Sequence, residues 1–214
     1  MPIHSATMKQ RLVLSLLFPC CLLALMGCSD DEKDYPSLIT DMMMASVNAA
    51  GGITTMTLDN GSSYDVHAQG ITTDVKDTIV RCLASYTLDQ QNMTVYNVSG
   101  VLTDKPYLAE DLLHDEEGKQ VLESLPRDPM KVVSMWKSGG YINMQLGMLT
   151  TGNGTHAYAF CEDSVGAYSL VHQRPADDAE SYTQKVYMSM PIPEGVEHLT
   201  FSIYTYDGIY TRTF

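Results

Sequence analysis

Positive charge is scarce in this 214-residue sequence. Lysine and arginine together number 13 against 26 aspartates and glutamates, a formal net charge of −13 at pH 7. A chain this acidic repels nucleic acid and anionic lipid, which excludes DNA or RNA binding. Tryptophan occurs once, at Trp136. Long helical periodicities are few, while Gly, Thr, Ser and Tyr are plentiful, the composition of a mostly-β protein. Signatures of metal and nucleotide chemistry are missing too. His67, His114, His156, His172 and His198 are scattered, with no His-x-x-x-His pair and no zinc-type cysteine spacing. Each reads as a surface or edge-strand residue. There is no phosphate loop and no dinucleotide fingerprint. Ser164 has Glu162 where a nucleophile elbow needs glycine. Asp59-Asn60-Gly61 through Asp65 places its glycine too early for a calcium loop and lacks the terminal glutamate. No cofactor, metal or catalytic residue is expected.

No apolar run is long enough to cross a bilayer. Leu12 to Met26 covers about 15 residues and is broken by Ser15 and Pro19, whereas a spanning helix needs about 20. Preceded by Lys9 and Arg11, it reads as a signal-peptide h-region. It runs into Leu25-Met26-Gly27-Cys28, which resembles the bacterial lipobox. By that resemblance Cys28 becomes the mature N-terminus and carries acyl chains, several of which together anchor firmly in a membrane. Residues Ser29 to Asp34 resemble the acidic export signal of Bacteroidetes lipoproteins. This implies an outer-membrane anchor at the cell surface, with a periplasm-facing anchor as the alternative. A plain solvated tether is the simpler reading of the same charges. Removing residues 1–27 takes away two basic residues and no acidic ones, so the net charge falls from −13 to −15. Of five cysteines only Cys82 and Cys161 then remain unmodified. The compartment permits a disulfide, but both lie in expected strands in different halves of the chain and read as buried free thiols.

Strand patterning dominates the chain beyond the tether. Alternation and turn residues predict strands over 38–48, 53–58, 62–69, 79–88 and 93–99, with Asp59-Asn60-Gly61 as a hairpin turn. In the fourth, Val80, Cys82, Ala84, Tyr86 and Leu88 alternate with Arg81, Ser85 and Thr87, which places Cys82 inward. Five short strands in this span suit a small OB-like Greek-key barrel. Residues 104–129 break the pattern with Pro106, Pro126, Pro129 and the run Asp115-Glu116-Glu117, and read as an interdomain connection with one or two helical turns. Strands resume over 132–137, 141–148, 156–161, 168–173, 182–190, 199–204 and 210–214, an antiparallel β-sandwich of about seven strands. The expected organisation is therefore a signal peptide (1–27), an acidic tether (28–36), an OB-like domain (37–103), a linker (104–129) and a β-sandwich (130–214).

Several motifs resemble one family in their order and spacing. These are Asp34-Tyr35-Pro36, Leu58-Asp59-Asn60-Gly61, Arg81 to Tyr86, Asp128-Pro129, Ser134 to Asn143, Leu170-Val171-His172, Glu180-Ser181-Tyr182 and Tyr204 to Gly208. Together they are similar to NigD-like lipoproteins of Bacteroidales. The resemblance implies an N-terminal OB domain, a C-terminal β-sandwich and a role in bacteriocin immunity.

On this reading the protein is a non-catalytic envelope lipoprotein that binds a protein, peptide or glycan. A structural or accessory subunit of an outer-membrane complex is the alternative. A hydrolase would need a carboxylate pair assembled from Asp163, Asp177, Asp178 and Glu180. Trp136, Tyr141, Tyr204, Tyr206 and Tyr210 are candidates for an aromatic binding surface, because such rings stack on sugars or anchor interfaces. Half of them packing between the sheets is the alternative. Thr78 in Asp77-Thr78-Ile79 and Ser164 in Asp163-Ser164-Val165 resemble O-glycosylation acceptors of Bacteroidetes.

Overall fold

A computed structural model of the chain describes residues 37–67, 71–90, 92–112 and 124–214. The expected signal peptide, Cys28, the expected acidic tether and His114 lie outside these residues. Almost all of the regular structure is β.

The first five strands close on themselves. They are β1 (Ile39–Val47), β2 (Ile53–Leu58), β3 (Ser63–His67), β4 (Thr78–Asp89) and β5 (Asn92–Gly100). Their order is β1-β2-β3-β5-β4, with β4 returning to β1. The β3–β5 pair is parallel and the others antiparallel, the Greek-key arrangement expected of an OB-like barrel. Alternation dictates what fills it. Met43, Ala45, Cys82, Ala84 and Tyr86 point inward and are buried, with Met56 and Met93 completing the centre. Unbranched methionines suit so small and irregular an interior. The β2–β3 hairpin turns at Asn60-Gly61, where Gly61 takes φ = 88° and Leu58 N–H bonds Ser62 O at 2.9 Å.

The remaining strands form two stacked sheets. One has the order β6 (Leu102–Thr103), β11 (Tyr182–Pro191), β8 (Tyr141–Thr150), β7 (Lys131–Ser138). The other has the order β13 (Gly208–Thr213), β12 (Thr200–Thr205), β10 (Ala167–Gln173), β9 (Ala157–Ser164). Residues 130–214 supply seven strands, and β6 adds an eighth from upstream. Pairing is antiparallel except for β6–β11 and β10–β12, which are parallel. The latter pair arises because β11 crosses to the opposite sheet before β12 returns. Met135, Ile142, Met144, Leu146, Phe160 and Phe201 lie between the layers with other apolar side chains.

The chain passes from barrel to sandwich across one residue, Val101, whose N–H bonds Arg81 O at 3.3 Å. Residues on either side of the undescribed segment 113–123 then follow the β13-β12-β10-β9 sheet. Tyr107 bridges Cys161 of β9, and Arg127 bridges His172 of β10. A single helical turn, α1 (Ala109–Leu112), packs on β9. Cys82 and Cys161 are free and buried.

Candidate functional site

Alternation along β7, β8 and β11 gives their sheet an outer face on which cross-strand partners form rows. Trp136, Asn143 and Ser189 make one row, and Ser134, Gln145 and Tyr187 the next. A sandwich normally leaves this face in water. Here the barrel covers the first row and inserts Arg81 into it.

Arg81 faces out of the barrel, as the β4 pattern requires, yet it is only 3% exposed because the sandwich closes over it. Its Nη1 and Nη2 donate to the two carboxylate oxygens of Asp59 at 2.9 and 2.8 Å. Nε donates to Ser189 Oγ at 2.8 Å and Nη2 to Asn143 Oδ1 at 2.8 Å. Ser189 Oγ donates to Asn143 Oδ1 at 2.6 Å, and Ser138 Oγ to Asp59 Oδ2 at 2.5 Å. The guanidinium also lies 4.2 Å from the Tyr141 ring centroid, within cation–π range. Burial raises the Asp59 carboxyl, but hydrogen bonds from Arg81 and Ser138 and the guanidinium charge outweigh it and leave the group below its ordinary range. This network joins barrel to sandwich.

Beside it the same face opens into a cleft of about 570 Å³. Trp136, Gln145 and Tyr187 form its floor; Asp41, Leu58, Asn60 and Leu83 form the barrel wall. Gln145 and Tyr187 are direct cross-strand partners. The Trp136 indole N–H, the Gln145 amide and the Tyr187 hydroxyl make no hydrogen bond to any described residue. Asp41 is exposed and accepts from the Tyr86 hydroxyl at 2.7 Å. Burial, and then that bond to Asp41, push the Tyr86 phenol well above its usual range.

The five aromatic candidates do not form one surface. Trp136 lines the cleft and Tyr141 lies under Arg81, both on the β6-β11-β8-β7 sheet. Tyr204 packs against Arg127, whose guanidinium is 5.1 Å from its ring centroid. Tyr206 and Tyr210, 42% and 38% exposed, flank a separate groove of about 620 Å³ at the β12–β13 turn. Thr78 and Ser164 are exposed, and the apolar residue after each is exposed as well, Ile79 by 63% and Val165 by 98%.

The histidines do not all lie at the surface. His198 is exposed, but His156 and His172 meet and are buried or nearly so. His156 Nε2 is 2.8 Å from Asp178 Oδ2, His156 Nδ1 is 2.9 Å from His172 Nε2, and His172 Nδ1 is 3.0 Å from Asp128 O. Asp178 also accepts from the Thr151 N–H and hydroxyl at 2.7 and 2.6 Å. These Thr151 and His156 bonds, with a bond from Thr150, outweigh desolvation and hold Asp178 ionised far below its usual range. Its carboxylate and the Asp128 carbonyl can only accept, so the two histidines must supply a proton to each of three hydrogen bonds. They therefore share one proton more than two neutral rings carry, balanced by Asp178. Burial is the main cause that lowers the His172 pKa. Hairpin register explains the meeting. His172 pairs with Tyr158 across the tight Val165-Gly166 turn, so counting outward from that turn brings His156 beside it. Sequence spacing alone hides this.

The network ends on the Asp128 backbone carbonyl. The four carboxylates named for a hydrolase do not pair. Asp163 binds Arg127 at 3.0 Å, Glu180 binds Arg174 at 2.6 Å, Asp177 is exposed and Asp178 holds His156. No metal-holding group of three or more His, Cys, Asp or Glu occurs among the described residues.

No protein-family model and no curated protein matches the chain. Solved structures do. A NigD-like immunity protein from Bacteroides caccae is 26% identical with a TM-score of 0.63, over 84% of this chain and 93% of that one. A toxin-related protein from Parabacteroides distasonis is 18% identical with a TM-score of 0.63, over 82% and 92%. A protein of unknown function from Bacteroides vulgatus is 14% identical with a TM-score of 0.59, over 82% and 90%. The chain thus resembles a NigD-like protein in fold as well as in motifs; the other two share the fold.

Proposed function

We propose that the protein is a non-catalytic, lipid-anchored module of the outer membrane that binds its ligand in the cleft between barrel and sandwich. The observation that carries this reading is the cleft floor. Trp136, Gln145 and Tyr187 offer an indole, an amide and a phenol without a hydrogen-bond partner among the described residues, the mixture of apolar wall and few convergent polar groups typical of binding sites. Cys28 and the acidic tether support a surface anchor. Similarity to an immunity protein supports a particular form of the role, in which the protein intercepts a bacteriocin or shields its target.

Site-specific photo-crosslinking in intact cells tests the site. p-Benzoylphenylalanine in place of Gln145 should give a mass-shifted adduct on irradiation. The same probe at Val165, on a remote turn, should not. Equal labelling at both positions, or none at 145, removes the cleft from the reading.

A further inference from the structure

We propose that the cleft binds a neutral oligosaccharide, an inference that rests on the cleft being the ligand site. Aromatic rings present flat apolar faces that match the C–H faces of pyranose rings, and their polar ends hydrogen-bond at the rim. Trp136 and Tyr187 supply such rings on neighbouring rows of one sheet, with Gln145 between them. The polar groups without a partner among the described residues also fit sugar hydroxyls, each of which donates once and accepts twice. The Gln145 amide does both, the Tyr187 hydroxyl does both, the Trp136 indole donates, and Asp41 accepts. The Asn60 amide adds a donor from the barrel wall, its oxygen being held by Ser62 N–H at 2.9 Å.

Charge argues against other occupants. Asp59, the second carboxylate at the cleft, is already neutralised by Arg81, so Asp41 is the one uncompensated charge in the lining. A basic peptide would find a single carboxylate there, and the next row of the same face is Lys131, Gly147 and Lys185, with both lysines exposed. An acidic ligand would face Asp41 and a chain of strongly negative net charge. A neutral polyol meets neither penalty.

Trp136 is the only tryptophan, so intrinsic fluorescence reports on this cleft alone. The soluble chain from Ser29 onward would be titrated with neutral plant, fungal and host-type hexasaccharides, with hexalysine and hexaglutamate as charged probes. At least one neutral sugar should shift Trp136 emission saturably. Gln145→Ala and Tyr187→Ala should each weaken that response at least tenfold, and calorimetry on Trp136→Phe should show weakened binding with the fold intact by circular dichroism. Tyr206→Ala, in the separate groove between the β12–β13 turn and the β7–β8 strands, should change nothing. A panel with no responding neutral sugar, a response confined to a charged peptide, or a response that survives Gln145→Ala overturns the proposal. If the Gln145 crosslink forms while every neutral sugar is silent, the cleft remains the site and the sugar is wrong. If both fail, the site falls as well.

Discussion

Replacing Arg81 with methionine keeps the aliphatic stem but removes the guanidinium donors that tie Asp59 of the barrel to Asn143 and Ser189 of the sandwich. The Arg81 side chain is fully buried and that of Asp59 is 18% exposed. Deleting one partner of a buried ion pair costs about 3–5 kcal/mol, because the other charge stays in a poorly solvated place without its counterion. Asp59 reaches some water, so the loss should fall near the lower end, about 3 kcal/mol. With an m-value of roughly 2 kcal/mol/M in urea, the unfolding midpoint should drop by about 1.5 M. Trp136 lies at the junction and provides the fluorescence signal. A drop below about 0.3 M would refute the reasoning. Asp59→Asn added to Arg81→Met should recover part of the loss, since no uncompensated charge is left, and a purely additive pair would count against the ion-pair account. The pH dependence has a definite sign. Asp59 titrates lower in the fold than when unfolded, so its contribution is present above about pH 4 and disappears as pH falls through the folded value. Midpoints for parent and Arg81→Met should therefore converge in acid.

Three further measurements address other parts of the molecule. Burial pushes the Cys82 and Cys161 thiols up to about 11, so iodoacetamide at pH 8 should leave both unmodified in the folded chain and alkylate both in concentrated guanidinium; modification of the native protein contradicts their burial. His172, lowered chiefly by burial and further by His156 and Arg174 despite the opposing Asp128 carbonyl and carboxylate, contributes stability that is present above about pH 6.5 and lost as pH falls through its folded value; imidazole NMR should show a neutral Nδ1–H ring titrating below pH 6.5, and a midpoint at or above that value rejects the assignment. Cys28→Ser should move the protein from membranes to the soluble fraction with its fold unchanged, and a variant that stays with membranes after a high-salt wash rules out lipidation at that residue.

The architecture was legible because β-structure writes itself in alternation. Cys82, Ala84 and Tyr86 every second residue, and Asn60-Gly61 between two apolar runs, are local signals, and the barrel follows from them. What alternation leaves undetermined is what lies over an outward face. Arg81 and Asn143 occupy polar positions on their strands and would read as solvent-exposed in any isolated sheet; their burial depends on a contact between modules that no local pattern encodes. The cleft was half visible. Trp136 stands out by its chemistry, but Gln145 and Tyr187 become its neighbours only through the β7–β8–β11 register. The His156–His172–Asp178 cluster was hidden for the same reason. Its members are far apart in sequence, and only a hairpin and a returning loop bring them together.

The passage from β5 to β6 across Val101 alone has a consequence for how this protein can change. The two walls of the cleft belong to different modules, but Val101 alone joins β5 to β6 and Arg81 fixes the spacing of the walls. A ligand bound there would meet a gap of preset width and spend no energy closing it. Relatives built on the same frame would acquire new specificities by exchanging side chains on the β7–β8–β11 rows and at the β2–β3 turn. Shuffling the barrel as a separate cassette would be a poor route, because transplanting it would leave Arg81 and Asp59 without the surface that buries them.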